Sequence, residues 1–264
     1  MLASIQLLQH RIENPAGYPF TVPAIQSLTT HDFSKGRLTF FTGENGSGKS
    51  TLLEAIALSY GLSLDGGNRN FAFQSDTPSD DTYPLSRALR LSFRPVRSGE
   101  GFFFRAETLF NLATRLGELD AQDTGSLLLP PVLDGYGGQS LHTRSHGEAF
   151  LTVLDHKFRR SGLFLLDEPE AALSPQRQLS FLILLHDTLR DYPDAQFIIS
   201  THSPMLLALP NAQILSFDDG SIKPIDYRDT PAFQITRRFL ADHESFLDEL
   251  LRPEPTLFDD APND

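Results

Sequence analysis

Short apolar runs bounded by turn residues recur along this chain, and between them the apolar positions space out at intervals of three and four. The first pattern predicts strands at Ser4–Gln9, Phe20–Leu28, Leu38–Thr42, Ala88–Arg94, Gly101–Glu107, Gly162–Asp167 and Gln196–Thr201. The second predicts a helix from Ser50 through Leu53, Ile56, Ala57 and Tyr60, and further helices over Leu109–Leu119 and Gly147–Phe158. Gln176–Asp191 reads as a helix with Leu179, Leu182, Ile183, His186 and Leu189 facing inward, and a last helix carries the stripe Phe239, His243, Phe246 and Leu250. Gln213–Phe217 and Ser221–Ile225 flank Asp218-Asp219-Gly220, a hairpin signal. Residues 61–84 read as a long loop, while Pro95–Gly99 and Asp120–Ser126 read as turns. Strands alternating with helices predict an α/β protein with a mostly parallel central sheet and an antiparallel β edge.

Composition narrows this picture. A chain of 264 residues suits one large domain or one domain with a small subdomain. We expect a single domain over 1–251, with a helical and loop insert at about 108–160 and an acidic, disordered tail at 252–264. Hydrophobic residues make up 40% and Phe alone contributes 21, enough for a sizeable core. The net charge of -12 repels polyphosphate backbones at long range, which disfavours wholesale nucleic-acid binding. The basic pairs Arg159-Arg160 and Arg237-Arg238 are expected on solvated helix faces. The absence of cysteine excludes disulfides, thiolate metal sites and cysteine nucleophiles, and it fits the reducing cytoplasm expected for this chain. The first residues lack a basic region leading into an apolar run, and no stretch reaches the ~18–20 apolar residues of a spanning helix. The eight histidines show no metal-ligand spacing.

Two segments carry chemistry. Gly43-Glu44-Asn45-Gly46-Ser47-Gly48-Lys49-Ser50-Thr51 follows a strand and opens a helix, as the G-x-x-x-x-G-K-[ST] phosphate loop requires. Its glycines permit a tight turn with inward-facing amides, and the helix N-terminus adds positive potential at the same place. Lys49 is then positioned for β- and γ-phosphate oxygens and Ser50 for Mg2+. The strand Gly162–Asp167 ends in Asp167 and Glu168. The first is expected in the Mg2+ shell and the second as the general base that polarises water.

Asp167-Glu168-Pro169 followed by Ala171-Ala172-Leu173-Ser174-Pro175 resembles the Walker B motif and D-loop of ABC ATPases. The strand ending in Thr201-His202-Ser203-Pro204 resembles that family's switch-histidine strand, which implies that His202 contacts the γ-phosphate. Ser145-His146-Gly147-Glu148 resembles a shortened ABC signature of the SMC/Rad50 branch, although Ser145 and Glu148 also suit an ordinary capping box. GENGSGKSTLLEAIA, FFFRAETLFN, SHGEAFL and LLDEPEAALSPQRQ together resemble the small stand-alone bacterial predicted ATPases of the AAA-21 and AAA-23 ABC-like families, over about residues 20–217.

The resemblance implies ATP and Mg2+ as ligands. It also implies a nucleotide-sandwiched homodimer in which Ser145, Gly147 and Glu148 act on the ATP of a second copy. Three features depart from the family. Ser174 stands where the D-loop has Asp. Glu107 is the candidate for the missing Q-loop glutamine and a further Mg2+ ligand, with Gln74 as runner-up. Tyr18 and Phe20 lie at plausible distances for stacking on adenine, but core or edge packing suits them better. Only 52–144 separates the phosphate loop from the signature, with no sustained heptads, so this is not a long-armed tether. The short signature favours an ATPase acting with repair or defence partners. The alternatives are the energy subunit of a transporter whose membrane part is another chain, and a slowly hydrolysing binding switch.

Overall fold

The computed structural model describes residues 1–64, 83–94, 100–105 and 146–252. In chain order the elements are β1 (Leu2–Leu7), α1 (Pro23–Ser27), β2 (Thr30–Asp32), β3 (Leu38–Thr42), α2 (Lys49–Tyr60) and α3 (Tyr83–Ala88). There follow β4 (Leu89–Phe93), β5 (Gly101–Arg105), α4 (His146–Phe158), β6 (Gly162–Asp167), α5 (Pro175–Asp191) and β7 (Ala195–Ser200). The chain continues through α6 (Pro204–Leu207), β8 (Gln213–Ser216), β9 (Lys223–Pro224), α7 (Pro231–Ala241) and α8 (His243–Leu250).

The strands form two sheets. The larger has the order β5-β6-β7-β3-β8-β9, parallel throughout except for the β8–β9 hairpin. Every residue of β3, β6 and β7 is buried, which is why these strands read as mostly apolar runs rather than alternating ones. The smaller sheet, β2-β1-β4, is antiparallel. The Gln196 side chain joins the sheets from β7, accepting from the Leu2 amide at 2.7 Å and donating to the Leu2 carbonyl at 3.0 Å.

Alternate residues of the central strands feed two cores. One lies between the sheets, where α2 packs Leu53 and Ile56 among Ile5, Phe41, Phe103, Leu165 and Ile198. The other covers the opposite face with α4 and α5, and its centre is a phenylalanine cluster. Phe158 lies 4.9 Å from Phe164 and 4.8 Å from Phe197, whose ring stacks on Phe164.

Three sequence expectations are corrected. Phe20–Leu28 is not a strand but contains α1, with Pro23 at the first helical position. There its missing N–H costs nothing, and the burial of Ala24, Ile25 and Leu28 follows helical spacing. The inward face of α5 is Phe181, Leu185 and Thr188, with Leu182 and Leu189 half-buried, while Leu179, Ile183 and His186 are exposed. With apolar residues on most sides of this helix, spacing alone does not select the face; packing of Phe181 beside Phe158 does. The last apolar stripe belongs to two helices, because Asp242 ends α7 and caps α8 by accepting from the Ser245 amide at 3.0 Å.

β4 and β5, read as strands around one turn, lie in different sheets. The hairpin at Asp218–Gly220 is present, with Asp219 and Gly220 at positive φ. Leu109–Leu119 and Asp120–Ser126 lie outside the described residues, as does the tail beyond Arg252.

Candidate functional site

Parallel α/β sheets gather functional groups at the carboxyl ends of their strands. Here β3 runs into the glycine-rich loop, β6 into Asp167 and Glu168, and β7 into His202. The loop turns through positive φ at Gly43, Gly46 and Gly48 (142°, 79° and 100°), angles that a side chain resists. Gly43 is also a close-approach point, since a Cβ there would meet Asp218 Oδ1 at 2.9 Å and Ser47 Oγ at 3.2 Å.

Lys49, the first residue of α2, is only 4% exposed, and its ammonium curls back over the loop. It donates to the Gly43 carbonyl at 2.7 Å and to the Glu44 carbonyl at 2.9 Å. Burial pulls its pKa below the usual lysine value, opposed by Glu168, Asp167, Asp218 and Glu44. Ser50 Oγ donates to Asp167 Oδ1 at 2.9 Å, which joins two of the three predicted Mg2+ ligands across 117 residues of chain. Glu168 sits in the left-handed region, φ 47° and ψ 53°, a conformation that costs a non-glycine residue ~1–3 kcal/mol and clusters at functional sites. Its Oε1 lies 3.6 Å from His202 Nε2. Ser47 Oγ and His202 Nε2 are buried with no hydrogen-bond partner among the described residues.

These orphaned atoms, the free lone pairs of Ser50 and Asp167, and the buried ammonium fit a phosphate chain with Mg2+. Such an ion takes one or two protein oxygens and fills its octahedron with phosphate and water. No cluster of three or more His, Cys, Asp or Glu that could hold a metal ion occurs among the described residues.

Three residues that sequence reasoning left out also build the site. Arg105, at the end of β5, donates from Nε to Asp167 Oδ2 at 3.2 Å and pairs with Glu54 of α2. Asp218, at the end of β8, accepts the Glu44 amide at 2.8 Å, pinning the loop sideways. Glu170 accepts the backbone N–H of His202 at 2.6 Å. For Arg105 a signal existed: a cation closing the apolar run of β5, at the strand end where such sheets place function. Asp218 was read only as a turn former, and its partner is 174 residues away.

Of the other predicted residues, Asn45 and Thr51 lie in the loop and the first turn of α2. Gly147 and Glu148 fall in the first turn of α4. Ser145, Glu107 and Gln74 lie outside the described residues. Phe20 is core, whereas Tyr18 is 51% exposed and shares a 2.7 Å hydrogen bond with the Thr51 hydroxyl. Tyr18 borders a cavity of about 230 Å3 that also meets Arg11, Tyr83 and Arg87. A second cavity, of about 210 Å3, opens between Gly43, Glu44, His202, Asp218 and α7.

The AAA-domain model AAA_23 matches residues 19–101, which hold the loop and β5's start. The AAA_21 model, described as "AAA domain, putative AbiEii toxin, Type IV TA system", matches 149–208, which hold Asp167, Glu168 and His202. AAA-domain sequence thus lies on both sides of residues 102–148. The chain is similar to the SMC head domain from Thermotoga maritima, at 16% identity and TM-score 0.44, over 85% of this chain and 99% of that one. It is similar to Stu0660 of Streptococcus thermophilus at 12% identity and TM-score 0.47, over 86% and 76% of the two chains. It is similar to a dimeric bacterial ABC transporter cassette at 14% identity and TM-score 0.35, over 76% and 90%. No curated protein matches it in sequence. No helix among the described residues is long and apolar enough to cross a membrane.

Proposed function

We propose that this chain hydrolyses ATP to ADP and phosphate, and that ATP binding closes two copies into a dimer that hydrolysis reopens. The observation that carries the reading is the convergence at one sheet edge of Lys49, the Ser50–Asp167 pair at 2.9 Å and the Glu168–His202 pair at 3.6 Å.

In this reading the loop amides and Lys49 hold the β- and γ-phosphates. Ser50 and Asp167 would hold Mg2+, which would neutralise the negative charge that develops on the phosphate oxygens. Glu168 orients a water in line with the γ-phosphorus and accepts its proton as the new P–O bond forms. The bond to the bridging oxygen breaks, and ADP departs with the electron pair. His202, whose Nε2 is free on the same side, donates to the γ-phosphate and links it to Glu168. The adenine is held beside Tyr18, whose hydroxyl already contacts the residue that follows Ser50. Ser145, Gly147 and Glu148 approach the γ-phosphate of the partner copy, with the helix N-terminus offered to the anion.

Glu168→Gln removes the base and keeps the shape. Light scattering with MgATP should then find a dimer for this variant and not for the wild type, while the wild type alone releases phosphate. A monomer for both, with ATP bound, overturns dimer closure. Equal phosphate release from both overturns the role of Glu168.

A further inference from the structure

His202 stands on a stretch of backbone that belongs to neither a strand nor a helix: residues 201–203 connect β7 to α6. Its place must therefore come from hydrogen bonds around it. The Thr201 amide donates to the Phe41 carbonyl at 3.0 Å, which holds the stretch to β3. The Ser203 amide donates to Thr201 Oγ1 at 3.0 Å, and the Ser203 hydroxyl donates to Gln178 Oε1 at 2.6 Å while accepting from the Met205 and Leu206 amides. Thr201 is thus held from β3 and Ser203 from α5, while the Glu168 amide donates to the Ser200 carbonyl at 2.9 Å, so the Asp167–Glu168 turn already meets the end of β7.

The amide of His202 itself is held by a side chain from that turn. Glu170 lies in the 310 segment Pro169–Ala172, whose shape is set by the Ala171 amide donating to the Glu168 carbonyl at 3.1 Å and the Leu173 amide donating to the Glu170 carbonyl at 2.9 Å. From there Glu170 Oε1 takes the His202 N–H at 2.6 Å, and Oε2 is buried with no hydrogen-bond partner among the described residues. A buried carboxylate with an unsatisfied oxygen costs stability. Consistent with that cost, burial raises the pKa of Glu170, against the Thr201 hydroxyl and backbone N–H groups that stabilise its charge. The amide that Glu170 captures belongs to a residue whose ring lies 3.6 Å from Glu168, two positions before Glu170.

We propose that Glu170 is a positioning residue: it ties the His202 backbone to the turn that carries Glu168, so that imidazole and base keep one spacing while nucleotide enters and leaves. In this role Glu170 needs only an acceptor oxygen for the His202 N–H. The inference rests on the ATPase reading for its effect on turnover, but not for its structural part.

The test uses the full chain with Glu170→Ala, Glu170→Gln, His202→Ala and the double variant Glu170→Ala/His202→Ala. Glu170→Ala should lower kcat about 10- to 100-fold, the scale of a misplaced catalytic group, with MgATP affinity changed less than about threefold. Glu170→Gln, whose amide oxygen still accepts the His202 N–H, should stay within about threefold of wild type. On the His202→Ala background, Glu170→Ala should cost less than about twofold more, because both act through one ring. Full turnover by Glu170→Ala, a Gln variant as slow as the Ala variant, or multiplicative losses in the double variant each overturn the proposal.

Hydrogen exchange at residues 201–203 reads the same link without turnover. Glu170→Ala should speed exchange of the His202 amide by about tenfold or more, and Glu170→Gln should not. Unchanged exchange in Glu170→Ala overturns the proposal even if the wild type proves to hydrolyse no ATP, an outcome that would sink the ATPase reading by itself. Should the Ala variant not fold, Glu170→Asp replaces it: one methylene shorter, it should lose the contact and match the losses expected for Ala.

Discussion

Two glycines of one loop should respond very differently to the same methyl group. At Gly43 the backbone has φ 142°, and a Cβ would sit 2.9 Å from Asp218 Oδ1, 3.2 Å from Ser47 Oγ and 3.3 Å from Phe217 Cβ. At Gly46 φ is 79°, and nothing lies within 4 Å of the added carbon. Gly46→Ala therefore carries only the left-handed backbone penalty, about 1–2 kcal/mol. Gly43→Ala carries a glycine-only conformation, about 1–3 kcal/mol. It also pushes away the carboxylate that accepts the Glu44 amide, a charged hydrogen bond worth about 1.5–3 kcal/mol. The sum is about 2.5–6 kcal/mol, which at about 2–4 °C per kcal/mol lowers Tm by about 5–24 °C, against about 2–8 °C for Gly46→Ala. The assay is denaturation of the nucleotide-free protein, so that contacts with phosphate do not enter. Asp218→Ala supplies the internal control: removing the nearest obstacle should shrink the Gly43→Ala penalty by about 1 kcal/mol or more. If Gly46→Ala is as damaging as Gly43→Ala, or if the two penalties at 43 and 218 simply add, the packing argument is wrong.

Lys49→Ala removes the buried ammonium. MgATP at a hundredfold above its Kd should stabilise the wild type by about 2.7 kcal/mol, and a thermal shift should find that gain lost in the variant; an unchanged shift refutes the phosphate role. Arg105→Met withdraws the cation from Asp167 and Glu54, whose side chains are 5% and 11% exposed. Urea unfolding should register a loss of about 2–3 kcal/mol, below the usual figure for a broken buried pair because Arg105 itself is partly exposed, and a loss under about 1 kcal/mol counts against the bridge. Lys157 has its pKa lowered to about 8 by burial first, with Arg160 adding to the shift and Glu100 opposing it. The folded value lies below the unfolded one, so charging this lysine penalises the fold fully below about 8, and the penalty fades as pH rises toward about 10.4. Lys157→Met should therefore be more stable than wild type by about 2 kcal/mol at pH 7, with the advantage shrinking by pH 10; an advantage that does not depend on pH excludes this cause.

The central strands were legible because burial on both faces leaves mostly apolar runs at Leu38–Thr42, Gly162–Asp167 and Ala195–Ser200. The phosphate loop was legible because its glycines answer to local backbone geometry. What escaped sequence reasoning depends on partners far away in the chain. The face that α5 buries is chosen by phenylalanines on other elements. Arg105 meets Asp167 across 62 residues, and Asp218 meets Glu44 across 174. Phe20–Leu28 misled for a local reason: its apolar density resembles a strand, and only Pro23 at a first helical turn argues the other way.

Strand order explains why the site needs these long-range supports. Asp167 leaves β6, but the phosphate loop leaves β3, and β7 lies between them. Neighbouring strands are about 4.8 Å apart, so the two motifs start nearly 10 Å from each other, too far for a strand-end serine to meet a strand-end aspartate. The loop closes the gap by crossing the end of β7 and delivering Ser50 from the first turn of α2, where it reaches Asp167 at 2.9 Å. The end of β7 must then stay low beneath the loop, and it does so with Ser200 and Thr201, both fully buried. That leaves His202 beyond the strand, without ladder partners, beside the mouth it must face. Its own amide is held by a side chain from the neighbouring turn. Glu168 in its left-handed conformation and Glu170 with its carboxylate on the His202 amide both lie on the turn that leaves β6, one strand away from the glycine-rich loop that leaves β3.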